Sequence, residues 1–401
     1  MATKSIDAAS LAERLENLVN DIRSNSSLVK DEDRYKLSEA ARKLSWELEA
    51  PGDTVHRVIW GPLQLPLANI GIETRLFEIM SEIDGTSTNA QLAEKINVDP
   101  TLLKRLLRYY QSFGFVTQPS DDAYGANNVT KAMATLGARV GIPVFLQMFT
   151  PIFNALPEFL RETGYTHVAD INNCPLNVIH SKNETFWSWL QKDPPQMERF
   201  LTWTQCFRYD LPTLFDTFDI KSEIAQGSTD STILFVDVAG AMGHQSIALK
   251  KRYPELSGRI ILQDRPEVIE QVKSSPLPGF EGIEAEAHDI LKPQPIKGAR
   301  AYYLRNILHN WPDDKCVEIL KNIKSGMTKE SKVLIDDMVL PESGAHWRVT
   351  QFDLTMYAYF GAMERSYAEW QVLLDKAGLK ALKVHEYTNQ LHEAVIVAVS
   401  K

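Results

Sequence analysis

The chain has 401 residues, 44% of them hydrophobic and 24% charged, with 20 Gly, 20 Pro and 3 Cys. That length exceeds one ordinary core, so two or three domains are expected, and the composition excludes a disordered, collagen-like or repeat-biased chain. A net charge of −9 argues against a general nucleic-acid binder, whose surface must attract phosphate.

Residues 1–10 lack the basic start and apolar block of a secretory signal. Cys174, Cys206 and Cys316 are scattered, without CxxC or metal-ligand spacing, and read as reduced thiols of a cytoplasmic protein with no metal site. Ser10 and Glu13 have capping-box spacing, and Leu11, Leu15, Leu18 and Ile22 then share one helical face. A second helix is expected over residues 31–48, closed by Pro51 and Gly52.

From residue 63 to 117 the pattern is three short helices and a turn. An apolar stripe covers 70–83, a short helix covers 90–96, and Asp99-Pro100 opens another with Pro at its first position. Leu102, Leu103, Leu106, Leu107 and Tyr110 form the buried face of that helix, Gly114 closes it, and Phe115 and Val116 lead into a hairpin. Helix-turn-helix followed by a hairpin suggests a winged-helix-like module. Lys104, Arg105 and Arg108 lie along one helix, and in so acidic a chain they read as a solvated face rather than a DNA-binding one. Residues 136–160 are the most membrane-like stretch, but Arg139, Gln147, Asn154 and three prolines favour buried, broken helices over a span.

After Gly227 the pattern changes. Apolar, β-branched runs at 233–237, 259–263, 299–304 and 332–336 alternate with helical stretches, and 393–399 closes the chain. Such spacing means βαβ units and a mostly parallel sheet buried on both faces, with ligands bound outside the carboxyl ends of its strands. The first strand runs into VDVAGAMGH at 236–244, where Asp237 precedes small residues Ala239, Gly240, Ala241 and Gly243 and a helix opens near His244. Small residues let backbone approach a ligand, and the helix start presents free N–H groups. Asp264 ends the second strand, where a carboxylate accepts from ribose hydroxyls, and Arg265 follows it. Asp289 follows the third strand, within reach of an adenine amino group. Together they indicate a nucleoside-containing cofactor, and periodicity alone leaves a dinucleotide and S-adenosylmethionine both open.

His309 lies just past a strand end in LRNILHNWPD, 304–313, and imidazole is the natural base for a weakly acidic hydroxyl. Asp337, in IDDMVLP, and Glu364, in GAMER, stand at comparable strand ends, suited to orienting the ring and stabilising its charged form.

These motifs, with ILQD at 261–264 and His288-Asp289, resemble the fungal and plant-type O-methyltransferases that use S-adenosylmethionine, over nearly the whole chain. The resemblance implies an α/β protein: an N-terminal all-helical, winged-helix-like dimerisation domain and a C-terminal Rossmann-like methyltransferase domain. It places the first over 1–130, a helical linker lining the substrate cavity over 131–225, and the catalytic domain over 226–401. It implies that His309 is the base flanked by Asp337 and Glu364, and that Gly240, Asp264, Asp289, Ile290 and Arg305 touch the cofactor. The substrate is then an aromatic or polyketide-like molecule against Phe145, Met148, Phe149, Phe153, Phe207, Arg208, Met356, Tyr357 and Phe360. A homodimer is expected, with no nucleic acid and no membrane as partner.

Three positions depart from the family pattern. Ala239 and Ala241 stand where glycine is usual, and a positive φ there costs roughly 1 kcal/mol or more. Asn310 stands where the family commonly has Asp. They leave a second reading open, in which S-adenosylmethionine is retained as an electrostatic aid. His309, Arg305 and Asn306 then donate hydrogen bonds during a dehydration or pericyclic cyclisation.

Overall fold

The computed structural model describes residues 7–182, 184–206 and 211–401. The expected substrate contacts Phe207 and Arg208 lie outside them. Chain contacts divide the molecule into two compact units, Met1–Ala68 and Asn69–Lys401.

The first unit is helical. Ala8–Ser24 is capped by Asp7, whose carboxylate accepts from the Ser10 N–H at 3.2 Å, so Ser10 sits inside the first turn rather than capping it. Asp31–Leu48 forms as expected. Pro51 opens a helix, Pro51–Trp60, instead of closing one, because proline's fixed φ suits the first helical position. No residue of Ala8–Ser24 or of Pro51–Trp60 is buried, and Leu11, Leu15, Leu18, Val58, Ile59 and Trp60 are exposed.

The second unit begins with the winged-helix-like module. The stripe at 70–83 is two helices, Gln64–Glu73 and Leu76–Glu82, separated by Arg75 at φ 58°. Asn89–Ile96 and Pro100–Ser112 follow, the latter capped by Asp99 through the Leu102 N–H at 2.9 Å. Leu103, Leu106, Leu107 and Tyr110 are buried; Leu102 is half exposed, since it lies off their stripe. Thr117–Ser120 and Ala123–Gly125 form the hairpin, and Thr86–Ser87 pairs with its second strand.

The stretch expected as broken helices is one continuous helical run. Leu136–Val144 passes through a π-helical turn, Phe145–Phe149, into Thr150–Glu162, which also holds Pro157. By length and composition Leu136–Glu162 is apolar enough to cross a membrane. Its Val144, Met148, Phe149 and Ile152 pack into a core with Phe186, Phe200, Tyr359 and Phe360.

The sheet has seven principal strands: β1 Ile233–Val238, β2 Arg259–Asp264, β3 Glu284–Ala287, β4 Ala301–Arg305, β5 Lys332–Leu340, β6 Leu379–Glu386 and β7 Glu393–Ser400. Their order is β6-β7-β5-β4-β1-β2-β3. β1 to β5 pair in parallel, and β7 runs antiparallel between β5 and β6. The charged alternation of β6 hid that strand, because only one of its faces meets the core. Both faces of the sheet are covered as expected. Val236, Leu304 and Ile335 pack under Asp313–Lys324 and Tyr367–Ala377, while Phe235, Tyr303 and Leu334 pack under His244–Arg252 and Pro266–Ser274. The cleft lined by Leu234, Tyr253, Gly258 and Gly282 opens at the amino ends of β1 and β2, opposite the candidate site. Cys174 and Cys316 are buried free thiols; Cys206 is half-buried.

Candidate active site

The carboxyl end of β1 turns into the small-residue loop. Ala239 and Ala241 both adopt left-handed backbone, at φ 58° and 52°, and Gly243 follows at 80°. The two alanines therefore carry the strain expected of a side chain at glycine positions. Gly240 admits nothing larger, since a Cβ would lie 2.5 Å from Asp237 Cγ and 2.6 Å from Leu262. Its N–H donates to Gln263 O at 3.1 Å, which ties the loop to β2.

Asp237 is buried and turned inward. It accepts from Ser246 N–H at 3.2 Å and Ser246 Oγ at 2.8 Å, fixing the first turn of His244–Arg252, while burial pushes its carboxyl up to about 6. Asp264 accepts from Ala241 N–H and Arg265 N–H, each at 2.8 Å, so the second-strand acid holds the loop of the first. Burial also raises its carboxyl. Arg265 begins the next helix, and its side chain pairs with Glu267 at 3.0 Å on the surface. Asp289 accepts from Leu291 N–H at 2.9 Å, a local turn that leaves its second oxygen uncommitted among the described residues, and Ile290 packs on the core beneath.

Arg305 ends β4 and caps no helix. Its guanidinium stands 3.8 Å from both Asp336 and Glu393, on strands β5 and β7. Asp336 also accepts from Tyr303 at 2.5 Å and Tyr387 at 2.7 Å. Burial opposes the charge on Arg305, but these acidic neighbours hold it charged.

The chemistry gathers one face away. His309 sits in the 3₁₀ turn Leu308–Asn310 after β4, and its Nδ1 lies 2.7 Å from Glu364 Oε1 and 3.8 Å from Asp337 Oδ1. Asp337 is within β5 rather than past its end, because that strand pairs with β7 as far as Met338 and then with Arg365–Ser366 through Val339 and Leu340. Adjacent residues of a strand point to opposite faces, so Asp336 serves Arg305 and Asp337 serves His309. All three site groups are buried. Both Asp337 oxygens and Glu364 Oε2 have no hydrogen-bond partner among the described residues. Burial pushes the His309 imidazole down, yet Glu364, Asp337 and the hydrogen bond to Glu364 outweigh it and raise the group to about 9. Burial raises Asp337 to about 7, against the pull of the imidazolium. Glu364 is held from behind by Asp353, which accepts its N–H at 2.9 Å. Asn310, at the departing position, donates to Asn306 O at 2.9 Å and braces the turn.

Phe145, Met148, Phe149, Met356 and Phe360 come together in one aromatic core with Tyr359, whose hydroxyl donates to Met148 O at 3.1 Å. All but Phe145 are buried, so they form the body of the wall rather than an open surface. The sequence reading missed Ser246, Asp353, Asp336, Tyr303 and Tyr387; strand alternation could have signalled Asp336 and Tyr303, while Ser246 and Asp353 lie in helices and Tyr387 lies past the end of β6.

Residues 220–380 match the family described as O-methyltransferase domain. The chain is 34% identical over 369 residues to the O-methyltransferase ucdC of Aspergillus ustus, covering 92% of this chain and 95% of that protein. A solved structure of LepI in complex with SAM superposes with a TM-score of 0.87 at 32% identity, covering 97% of this chain and 100% of that one. A structure described as a pericyclic reaction enzyme matches with the same TM-score of 0.87, identity of 32% and coverage of 97% and 100%.

Proposed function

We propose the reaction of this chain from one premise, that it belongs to the O-methyltransferase family: it transfers the methyl group of S-adenosylmethionine to a hydroxyl oxygen of an aromatic or polyketide-like small molecule. The observation that carries this is the buried His309–Glu364 pair at 2.7 Å beside Asp337. Glu364 balances the imidazolium, and Asp337, raised by burial to about 7, is a further acid that a cation in the pocket would ionise, which suits a sulfonium. The donor set agrees, with acids at the ends of β2 and β3 for an adenosine. Gly240, Asp264, Asp289, Ile290 and Arg305 would hold the cofactor, and Ala239, Gly243, Asp237 and Arg265 shape the loop around it. S-adenosylmethionine supplies an electrophilic methyl group on a positively charged sulfur.

The protein's own part is position and proton handling. Glu364 holds Nδ1, so Nε2 is the ring edge left for the substrate hydroxyl. A bound sulfonium would disfavour the imidazolium, and in its neutral form His309 would take the hydroxyl proton at Nε2. Glu364 and Asp337 then stabilise the imidazolium formed. General-base assistance of this kind is worth roughly 10²–10⁴-fold.

A second reading is favoured by the same charge. An imidazolium is a donor, and His309 in that form polarises a substrate carbonyl for dehydration or pericyclic cyclisation with the methyl group retained. The test is incubation of methyl-labelled S-adenosylmethionine with a panel of phenols and polyketides. Methyl transfer puts label in the product with one S-adenosylhomocysteine per product; the second reading gives products of unchanged mass and no S-adenosylhomocysteine.

A cytoplasmic homodimer built through 1–130, with 131–225 lining the substrate cavity of 226–401, belongs to the same proposal. The exposed apolar faces of Ala8–Ser24 and Pro51–Trp60 support the dimer, and sedimentation equilibrium at about twice the chain mass of 45.4 kDa is the expected result.

A further inference from the structure

Glu364 has a neighbour that the chemistry above leaves unused. Arg365 is among the largest wholly buried side chains, and nearly all its donors are spent around His309. Nη1 donates to Leu308 O at 3.2 Å and to Met363 O at 3.4 Å. Nη2 donates to Trp311 O at 2.9 Å and to Cys316 Sγ at 3.5 Å, and Nε donates to Asp313 Oδ1 at 2.9 Å. The guanidinium carbon lies 5.3 Å from the Trp370 ring centroid. Leu308 and Trp311 bracket His309 on either side of its 3₁₀ turn, and Met363 precedes Glu364. Arg365 also bridges in parallel to Val339 of β5, two residues beyond Asp337.

We propose that Arg365 is a positioning residue: its planar fork locks the turn carrying His309 to the segment carrying Glu364, and so sets their separation. A buried guanidinium is costly unless its N–H groups are used. Here they are used on backbone carbonyls of both segments, a geometry that the single point charge of lysine cannot reproduce. The charged and titratable groups around the imidazole are Glu364 and Asp337, Arg365 itself, Asp313 and Cys316 on the following helix, and Asp353 behind Glu364. Arg365 acts on His309 in two opposed ways. Its charge disfavours the imidazolium, while its clamp maintains the Glu364 contact that favours it. Exchange for lysine keeps the charge and removes the fork, so it isolates the clamp.

The inference rests on the site proposed above, but its main readout needs no methyl transfer. Full-length Arg365→Lys and Asp313→Asn are compared with the unaltered protein by NMR titration of the His309 ring, assigned by its loss in His309→Gln. Thermal melting checks folding. In Arg365→Lys the His309 midpoint falls by one pH unit or more, and turnover drops tenfold or more. The calorimetric Kd for S-adenosylmethionine stays within twofold. Asp313→Asn, which keeps the acceptor oxygen shared by Nε and Nη2 but removes its charge, loosens the outer end of the clamp and shows a smaller fall in the same direction. A folded Arg365→Lys whose His309 midpoint is unmoved overturns the proposal, whatever its melting temperature. If that variant does not fold, an unmoved midpoint in Asp313→Asn overturns it. A shifted midpoint in a protein that transfers no methyl group rejects the transferase reading and supports this one.

Discussion

Two corners at the carboxyl end of one sheet work by opposite means. The loop after β1 is backbone: Ala239 and Ala241 are bent into left-handed conformations, and Asp264 grips the loop by the Ala241 N–H. The corner after β4 is side-chain charge: His309, Asp337 and Glu364 arrive from three separate segments and meet buried. On the function proposed above, the first shapes a place for the ligand and the second moves a proton. Damage to each should therefore show in a different constant.

The largest effect belongs to the charged corner. His309→Ala should lower single-turnover methyl transfer by about 10²–10⁴-fold while calorimetry finds the S-adenosylmethionine Kd little changed. Equal losses in both would merge the two corners into one. Glu364→Gln comes next. The His309 midpoint, raised to about 9, should move down toward its ordinary value of 6.5, and the rate should fall roughly 10–100-fold. The sign for stability is fixed by the same shift. Because the folded pKa lies above the unfolded one, His309 stabilises the protein fully below about pH 6.5. That contribution is lost as pH rises through 9. Denaturant titrations across that window should show the alkaline loss in the unaltered protein and a flatter profile in Glu364→Gln.

Asp264→Ala sharpens the other side of the contrast. Freeing the Ala241 and Arg265 N–H groups should weaken cofactor binding by about 1–3 kcal/mol, roughly five- to a hundred-and-fifty-fold, with the chemical step at saturation much less affected. The smallest effects are expected from Ala239→Gly and Ala241→Gly. Relief of left-handed strain is offset in part by the freer unfolded chain, leaving each within about 1 kcal/mol of the starting stability and on the favourable side. A marked loss of stability in either would show that the methyl groups pack usefully.

The same contrast explains what the sequence made legible. His309 and Asp337 are chemically marked residue types at apolar strands, and Glu364 is marked by its GAMER motif between Trp347–Phe360 and Arg365–Ser366, so their meeting is readable from the sequence alone. The strain at Ala239 and Ala241 is readable too, since it follows from position in a strand-to-helix turn. Other roles depend on partners remote in sequence: Asp237 on Ser246, Arg305 on Asp336 and Glu393, Arg365 on the carbonyls around His309. No spacing rule carries such pairs. Local signals also mislead where one residue serves two ends. Pro51 punctuates a helix equally well at its start, and the prolines at 143, 151 and 157 all lie within one continuous run that a π-helical turn interrupts at Phe145–Phe149. β6 escapes detection because Lys380, Lys383 and Glu386 dilute its apolar signal at the sheet edge.

The central claim is that the imidazole beside β4 receives a hydroxyl proton as a methyl group leaves its carrier sulfur. Proton release, followed with an indicator dye in weak buffer alongside S-adenosylhomocysteine, tests it most directly. One proton and one S-adenosylhomocysteine per molecule of product, both abolished together in His309→Ala, is the outcome expected; substrate conversion with neither released would contradict it.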